Sequence, residues 1–200
     1  MGKTALGVAA VRAGESRRSD RLFDDPYAQA FLDAAPRVLP DEPAARGPMA
    51  ALGAVFHAHG VLRTRFFDDY LLAATTAGCE QVVLLAAGLD TRAFRLAWPD
   101  RTRLFEVDLP DVLTFKQRVL TGLAARPRCA RLVVPADLRG TWSPELVAAG
   151  FRPTAPTAWL AEGLLIYLSS DEAARLLTMV GELSTPDSQL ASDPGEPLRR

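Results

Sequence analysis

The stretch from Gln81 to Asp111, QVVLLAAGLDTRAFRLAWPDRTRLFEVDLPD, limits what this chain can fold into more than any other. Its apolar run from Val82 to Ala87 is too short for a free-standing helix and is rich in valine and leucine. It ends at Gly88 and gives way to a short amphipathic segment, which reads as strand, glycine turn and helix. A second apolar run, Leu104 to Val107, ends in an acid, Asp108, twenty residues beyond Gly88. In a doubly wound α/β sheet the ligand crevice lies at the carboxyl ends of the strands, and an acid closing the second strand is placed to accept hydrogen bonds from a ribose. The stretch therefore points to a site for a cofactor that contains a nucleoside.

The flanks extend this pattern. Residues 1–76 read as a helical, partly irregular arm, and 77–200 as the α/β domain. In the arm, Asp25-Pro26 is a helix start with Tyr27, Ala30, Phe31 and Ala34 on its apolar face, and prolines from Pro36 to Pro48 make a loop. A longer helix from about Ala50 to Thr75 follows, with Leu52, Val55, Phe56, His59, Leu62, Phe66 and Tyr70 recurring at helical spacing. Beyond the second strand, Asp111 is expected to cap a helix that ends at Arg126-Pro127. Arg131 to Leu138 reads as a third strand whose Pro135 places its end outside the ladder or at an edge. Trp142 to Gly150 reads as a short helix, and Thr157 to Leu168 contains a fourth strand interrupted by Glu162-Gly163. Ser169 to Glu172 is a capping box, and Ser188 to Ser192 reads as a fifth strand. Strands joined by helical crossovers imply a three-layer, doubly wound, mostly parallel α/β sheet of Rossmann-like kind.

Charge and cysteine usage narrow the partners. With 23 basic against 24 acidic residues there is no electrostatic footprint for nucleic acid, and a small molecule is the expected partner. No run reaches the length of a membrane span and the N-terminus is not apolar enough for a signal peptide, so a cytoplasmic location is expected. Cys79 and Cys129 sit beside apolar runs and read as small core residues. His57 and His59, two apart on one helix, point to different faces, so no metal site is expected.

The turn bears on which cofactor fits. A dinucleotide needs several glycines so that backbone can touch its pyrophosphate, and Ala86-Ala87-Gly88-Leu89-Asp90 offers one. S-adenosylmethionine has no phosphate and asks less. At this level the segments VVLLAAGLDTRAFRL, FEVDLP, ADLR and TAWLAEGLLIYL, in this order and spacing, resemble the leucine carboxyl methyltransferase family, and most of all its bacterial branch of S-adenosylmethionine-dependent methyltransferases. The resemblance extends to TALGVAAVRAGESRR, DDPYAQAFL and RTRFFDDYL, covering nearly the whole chain.

What the resemblance implies is a class I methyltransferase fold with S-adenosyl-L-methionine as cofactor. It assigns the ribose hydroxyls to Asp108, the adenine to Asp137 and Leu138, the neighbourhood of the methionine portion to Glu162, and the turn to Gly88. It assigns the cofactor carboxylate to Arg63 or Arg65, with Arg63 preferred, and a further basic contact from the N-terminal arm to Arg12. Taken without it, Asp137 reads equally as a turn residue, and Arg63 and Arg65 as helix charges that pair with Asp68 and Asp69. Glu162, inside an apolar run, needs a partner on either reading, because a buried unpaired carboxylate is costly.

Two departures from the family pattern stand out. Ala86 occupies a position where glycine is usual, which a negative φ would tolerate. The family's sheet continues past the fifth strand into a helix and a strand pair, whereas this sequence stops at Arg200, so the fifth strand is expected to be an exposed edge unless the tail or a partner covers it, and either truncation or self-association through that edge is expected. The expected function is methylation of a small-molecule hydroxyl or carboxylate. Its alternatives are a truncated or degenerate cofactor-binding domain without turnover and, behind it, a dinucleotide oxidoreductase. No residue declares itself as a catalytic base.

Overall fold

The structure is a computed structural model that describes residues 3–35 and 48–193. The proline-rich loop expected over 36–47 and the polar tail from Pro194 lie outside the described residues. Five parallel strands form one sheet: β1 (Gln81–Leu85), β2 (Arg103–Asp108), β3 (Ala130–Pro135), β4 (Thr157–Ala161) and β5 (Gln189–Ser192), in the order β3-β2-β1-β4-β5. Ahead of them run α1 (Lys3–Ser16), α2 (Ala28–Asp33) and α3 (Pro48–Thr76). Helices α4 (Arg92–Arg95), α5 (Pro110–Gly122), α6 (Ser143–Ala148) and α7 (Ser170–Glu182) alternate with the strands, and a 3-10 turn covers Leu165–Tyr167. Strand order reverses between β1 and β4, which makes their carboxyl ends the switch point of the sheet.

The continuous apolar runs read as strands because both faces of the sheet are covered. Val82 and Leu84, with Leu104, Ala158 and Leu160 of the neighbouring strands, join a core that includes Leu6 of α1, Phe31 of α2, Phe67 and Leu71 of α3 and Leu120 of α5. Val83 and Leu85, with Phe105, Val107 and Trp159, join a second core with Leu146 of α6 and Leu176 and Val180 of α7. Successive residues of a strand point to opposite faces, so these two cores account for the period-two division of each run. The arm contributes side chains to the first core alongside the sheet.

Several local expectations are corrected. Strand β1 stops at Leu85, two residues early, because Ala86 adopts a left-handed backbone with φ of 53°. Strand β3 stops at Pro135 on the sheet's edge, where a missing N–H is tolerated, and the Ala136 N–H still donates to the Asp108 carbonyl at 2.9 Å. Helix α5 starts one residue before the expected cap: Leu109 is extended at the N-cap, Pro110 takes the first helical position, and Asp111 falls in the first turn. In α7 the Ser169 and Glu172 capping box is formed in both directions, with Leu176 and Val180 buried and Leu177 exposed.

The largest correction concerns α3. Val55, Phe56, Leu62 and Phe66, whose helical spacing would suit a core-facing stripe, are 62–66% exposed, while Val61, Thr64, Phe67, Asp68, Leu71, Ala74 and Thr75 are buried. Both faces of this helix carry apolar side chains, so periodicity alone cannot choose between them. Asp68 decides it, because its carboxylate meets two arginines of α4.

Candidate active site

A cavity of about 360 Å³ opens at the carboxyl ends of β1, β2 and β4, a size in the range of small-molecule sites. Each strand delivers one feature from its last residue or the next: Ala86 after β1, Asp108 at the end of β2, Glu162 after β4. Parallel strands in register end together, so residues far apart in sequence meet without any long loop.

Asp108 is held by backbone. Its Oδ2 accepts from the Gly88 N–H at 2.6 Å and its Oδ1 from the Leu109 N–H at 2.6 Å. Burial raises its pKa and outweighs the lowering by those two N–H groups. Gly88 has φ of 50°, so the turn that presents this N–H favours glycine.

Glu162 has the partners its burial demands. Oε1 accepts from Arg63 Nε at 3.0 Å and Oε2 from Arg92 Nη1 at 2.8 Å. Arg92 is buried, and it also donates to Asp68 at 2.7 Å and to Asp90. Burial works to raise the Asp90 pKa, but the charges of Arg92, Lys116, Arg95 and Arg12 prevail and hold it at about 2. The same neighbours act in reverse on Arg92: burial lowers its pKa, and Asp90, Glu162 and Asp68 carry it well above the usual value. Arg63 donates a second bond, Nη1 to Asp193 Oδ2 at 2.9 Å. Four carboxylates, Asp68, Asp90, Glu162 and Asp193, thus face three guanidiniums, Arg63, Arg92 and Arg95, which leaves the cluster one charge negative.

The arm closes the cavity from above the turn. Thr4, Ala5, Val8 and Arg12 of α1 line it. Arg12 is committed elsewhere: Nε donates to Asp25 at 2.7 Å and Nη2 to the Leu89 carbonyl at 2.6 Å, so it ties α1 to the turn after β1. Asp25 also accepts from Thr91 at 2.7 Å and from the Tyr27 and Ala28 N–H groups. Its pKa is lowered, because the Arg12 charge, the Thr91 and Arg12 hydrogen bonds and the Arg95 charge together outweigh the opposing effect of burial. Tyr167, on the cavity's outer rim, meets Thr4 through their hydroxyls at 3.2 Å.

Of the residues singled out from sequence, Asp108, Glu162, Gly88, Ala86, Arg63 and Arg12 line this cavity together. Arg65 does not; it is exposed and pairs with Asp69 at 2.8 Å, the helix pairing that spacing allowed. Asp137 and Leu138 also lie off the lining: Asp137 is exposed and pairs with Arg139, and Leu138 packs against the second core. Arg92, Asp90, Asp68 and Asp193 were missed. The signal for two of them was present in GLDTR, where an acid and an arginine two apart follow a glycine turn at a strand's end.

Other groups are settled as packing. Trp142 and Trp159 are buried and meet edge to face at 6.2 Å. Burial pushes the Cys129 thiol up to about 12 and raises Cys79 as well, which makes both poor nucleophiles. Among the described residues there is no cluster of three or more metal-binding side chains, and no helix is long and apolar enough to cross a membrane.

Comparison with known proteins bears on the family and the fold. A family model described as Leucine carboxyl methyltransferase matches residues 5–181. A protein of Parafrankia sp. (strain EAN1pec) named "Putative S-adenosyl-L-methionine-dependent methyltransferase" is 57% identical over 199 residues, covering 99% of this chain and 64% of that protein. One of the same name from Frankia alni is 60% identical over 193 residues, covering 95% and 67%. The chain thus spans just under two thirds of the Parafrankia relative. Among solved structures, a DUF574 family protein from Streptomyces avermitilis matches 92% of this chain and 66% of its own, with a TM-score of 0.55 at 19% identity. A methyltransferase structure from Thermobifida fusca, "putative" in its name, matches 94% and 68% with a TM-score of 0.53 at 22% identity. These two structures share the fold.

Proposed function

Because this chain belongs to the leucine carboxyl methyltransferase family, we propose that its cavity holds S-adenosyl-L-methionine and that it methylates a small-molecule hydroxyl or carboxylate. The observation that carries the reading is the convergence of Asp108, Arg63 and Glu162 on one cavity at the switch point of the sheet. The residues fit the cofactor's parts. Asp108 would accept from the ribose hydroxyls, and Arg63 would meet the carboxylate. The excess negative charge behind them suits the ammonium and the sulfonium.

The same charge count weighs against a dinucleotide. A pyrophosphate needs donors and cations, and here Arg92 and Arg12 are already engaged by the protein's own oxygens. The adenine contacts proposed for Asp137 and Leu138 would require the turn after β3 to approach the cavity, with Asp137 released from Arg139. Arg65 is left out of the proposed site, and Arg12 has a strut's role in it.

When bound, the cofactor supplies an activated methyl group with a good leaving group. The chain's share is to orient and to exclude water. The lining contributed by Val8, Val112, Leu164 and Ile166 is apolar, so an acceptor seated there would be desolvated, and proximity to the methyl group would supply much of the rate. A carboxylate acceptor needs no base, whereas a hydroxyl acceptor needs one of suitable pKa.

Calorimetric titration with S-adenosylmethionine and with NAD tests the first half: binding of the former alone is expected, and binding of NAD alone would overturn the reading. A panel of carboxylate and hydroxyl acceptors with methyl-labelled cofactor tests the second half. Cofactor binding without transfer to any of them would favour a binding domain without turnover.

A further inference from the structure

We infer that Asp193 is a positioning residue for the amino-acid end of the cofactor, acting through Arg63 and the Glu162-Gly163 turn; the inference rests on the reading of the cavity as a methyl-donor site. Asp193 follows β5 directly and does not line the cavity. Its two carboxylate oxygens serve different elements. Oδ2 accepts from Arg63 Nη1 of α3 at 2.9 Å, and Oδ1 accepts from the Gly163 N–H after β4 at 2.7 Å.

The consequence is a guanidinium gripped from two sides. Glu162 takes Nε at 3.0 Å and Asp193 takes Nη1, while no bond among the described residues engages Nη2. The five N–H groups of arginine lie in one plane, so two carboxylates at separate nitrogens fix that plane and leave Nη2 for a third. A long side chain loses rotamer freedom when held this way, and that loss is borne before the ligand arrives rather than on binding.

Gly163 makes the arrangement tighter. Its φ is 63°, and a Cβ built there would lie 3.9 Å from both Nη1 and Nη2 of Arg63. The backbone of this turn therefore runs alongside the guanidinium, and the bond from its N–H to Asp193 holds it there. One acid thus sets both the cation and the backbone beside it. Sequence reasoning had no route to it, because Asp193 is 130 residues from Arg63 and sits in an ordinary Asp-Pro-Gly turn signal.

The test compares two ligands that share adenosine. S-adenosylhomocysteine carries the amino-acid end, and 5′-methylthioadenosine lacks it. Calorimetry on the full chain would measure both for wild type, Asp193→Asn and Asp193→Ala. Asparagine keeps an acceptor for the Gly163 N–H but loses the charge on Arg63, so about tenfold weaker binding of S-adenosylhomocysteine is expected for it, and a larger loss for alanine. Methylthioadenosine affinity should stay within about twofold throughout, which a general loss of structure would not allow. Unchanged or tighter S-adenosylhomocysteine binding, or equal loss for both ligands, would overturn the inference alone. A wild-type chain that binds neither ligand would overturn the cofactor reading and the inference with it.

Discussion

Ala86→Gly should make this protein more stable. Ala86 has φ of 53°, in the left-handed region, where an L side chain costs roughly 1–2 kcal/mol because Cβ crowds the following carbonyl. Glycine removes that cost but adds freedom to the unfolded chain worth about 0.4–1 kcal/mol. The balance is a gain of about 0.5–1 kcal/mol, and for a domain of this size about 2–4 °C accompanies each kcal/mol in Tm. Ala124, after α5, has nearly the same backbone with φ of 50° and lies exposed, away from the cavity, so Ala124→Gly serves as a control expected to gain a similar amount. The reverse change, Gly88→Ala, places a Cβ 3.8 Å from the Ala86 carbonyl oxygen and 3.9 Å from the Ala5 Cβ, which are ordinary contacts. Its cost should therefore be the conformational one, about 1 kcal/mol or more. Urea titration and calorimetric melting give all three numbers. If Ala86→Gly lowers Tm while Ala124→Gly raises it, the turn is not strained in the way the backbone angle implies.

Three further outcomes are expected. Glu106, wholly buried in β2, is the only carboxylate among the described residues that pairs with Lys116, at 2.8 Å, and with Arg131, at 2.7 Å, so Glu106→Gln should leave two buried cations unbalanced and destabilise by about 3–5 kcal/mol, whereas Lys116→Met leaves a one-to-one pair and should cost far less by urea titration. Asp90, whose folded pKa is depressed to about 2, contributes stability that is present above its unfolded pKa and lost as pH falls through the folded one; urea titrations between pH 5 and pH 2 should show about 2 kcal/mol of acid-labile stability that Asp90→Asn lacks. Asp108 shifts the other way, since burial raises its pKa, so ligand affinity that depends on its ionised form should begin to fall at a higher pH than for an ordinary aspartate, and calorimetry across the acid range should show that early loss disappear in Asp108→Asn.

The sheet was legible because it obeys a rule that sequence carries directly. Short apolar runs bounded by glycine, proline and acids can be strands only if both faces are buried, and β1, β2 and β4 are. Local chemistry was legible too, as in the Ser169 capping box. The buried face of helix α3 was not, although the helix itself was, because two apolar faces give one periodicity and the choice between them depends on arginines that lie 24 and 27 residues further on. The strand-end acid Asp108 could be found from its spacing to Gly88, whereas Asp193 and Asp68 act through partners that only the assembled sheet brings near. The φ of Ala86 was beyond reach as well: it is left-handed, against alanine's own preference, in a turn whose Gly88 N–H meets Asp108 only in the assembled sheet.

A crystal structure of the chain with S-adenosylhomocysteine is the most direct trial of the site. The expected result has both ribose hydroxyls within hydrogen-bond distance of the Asp108 carboxylate and the amino-acid carboxylate on Arg63. A ligand bound away from the ends of β1, β2 and β4, or an Asp108 that touches only the Gly88 and Leu109 N–H groups while the ligand is present, would contradict the account.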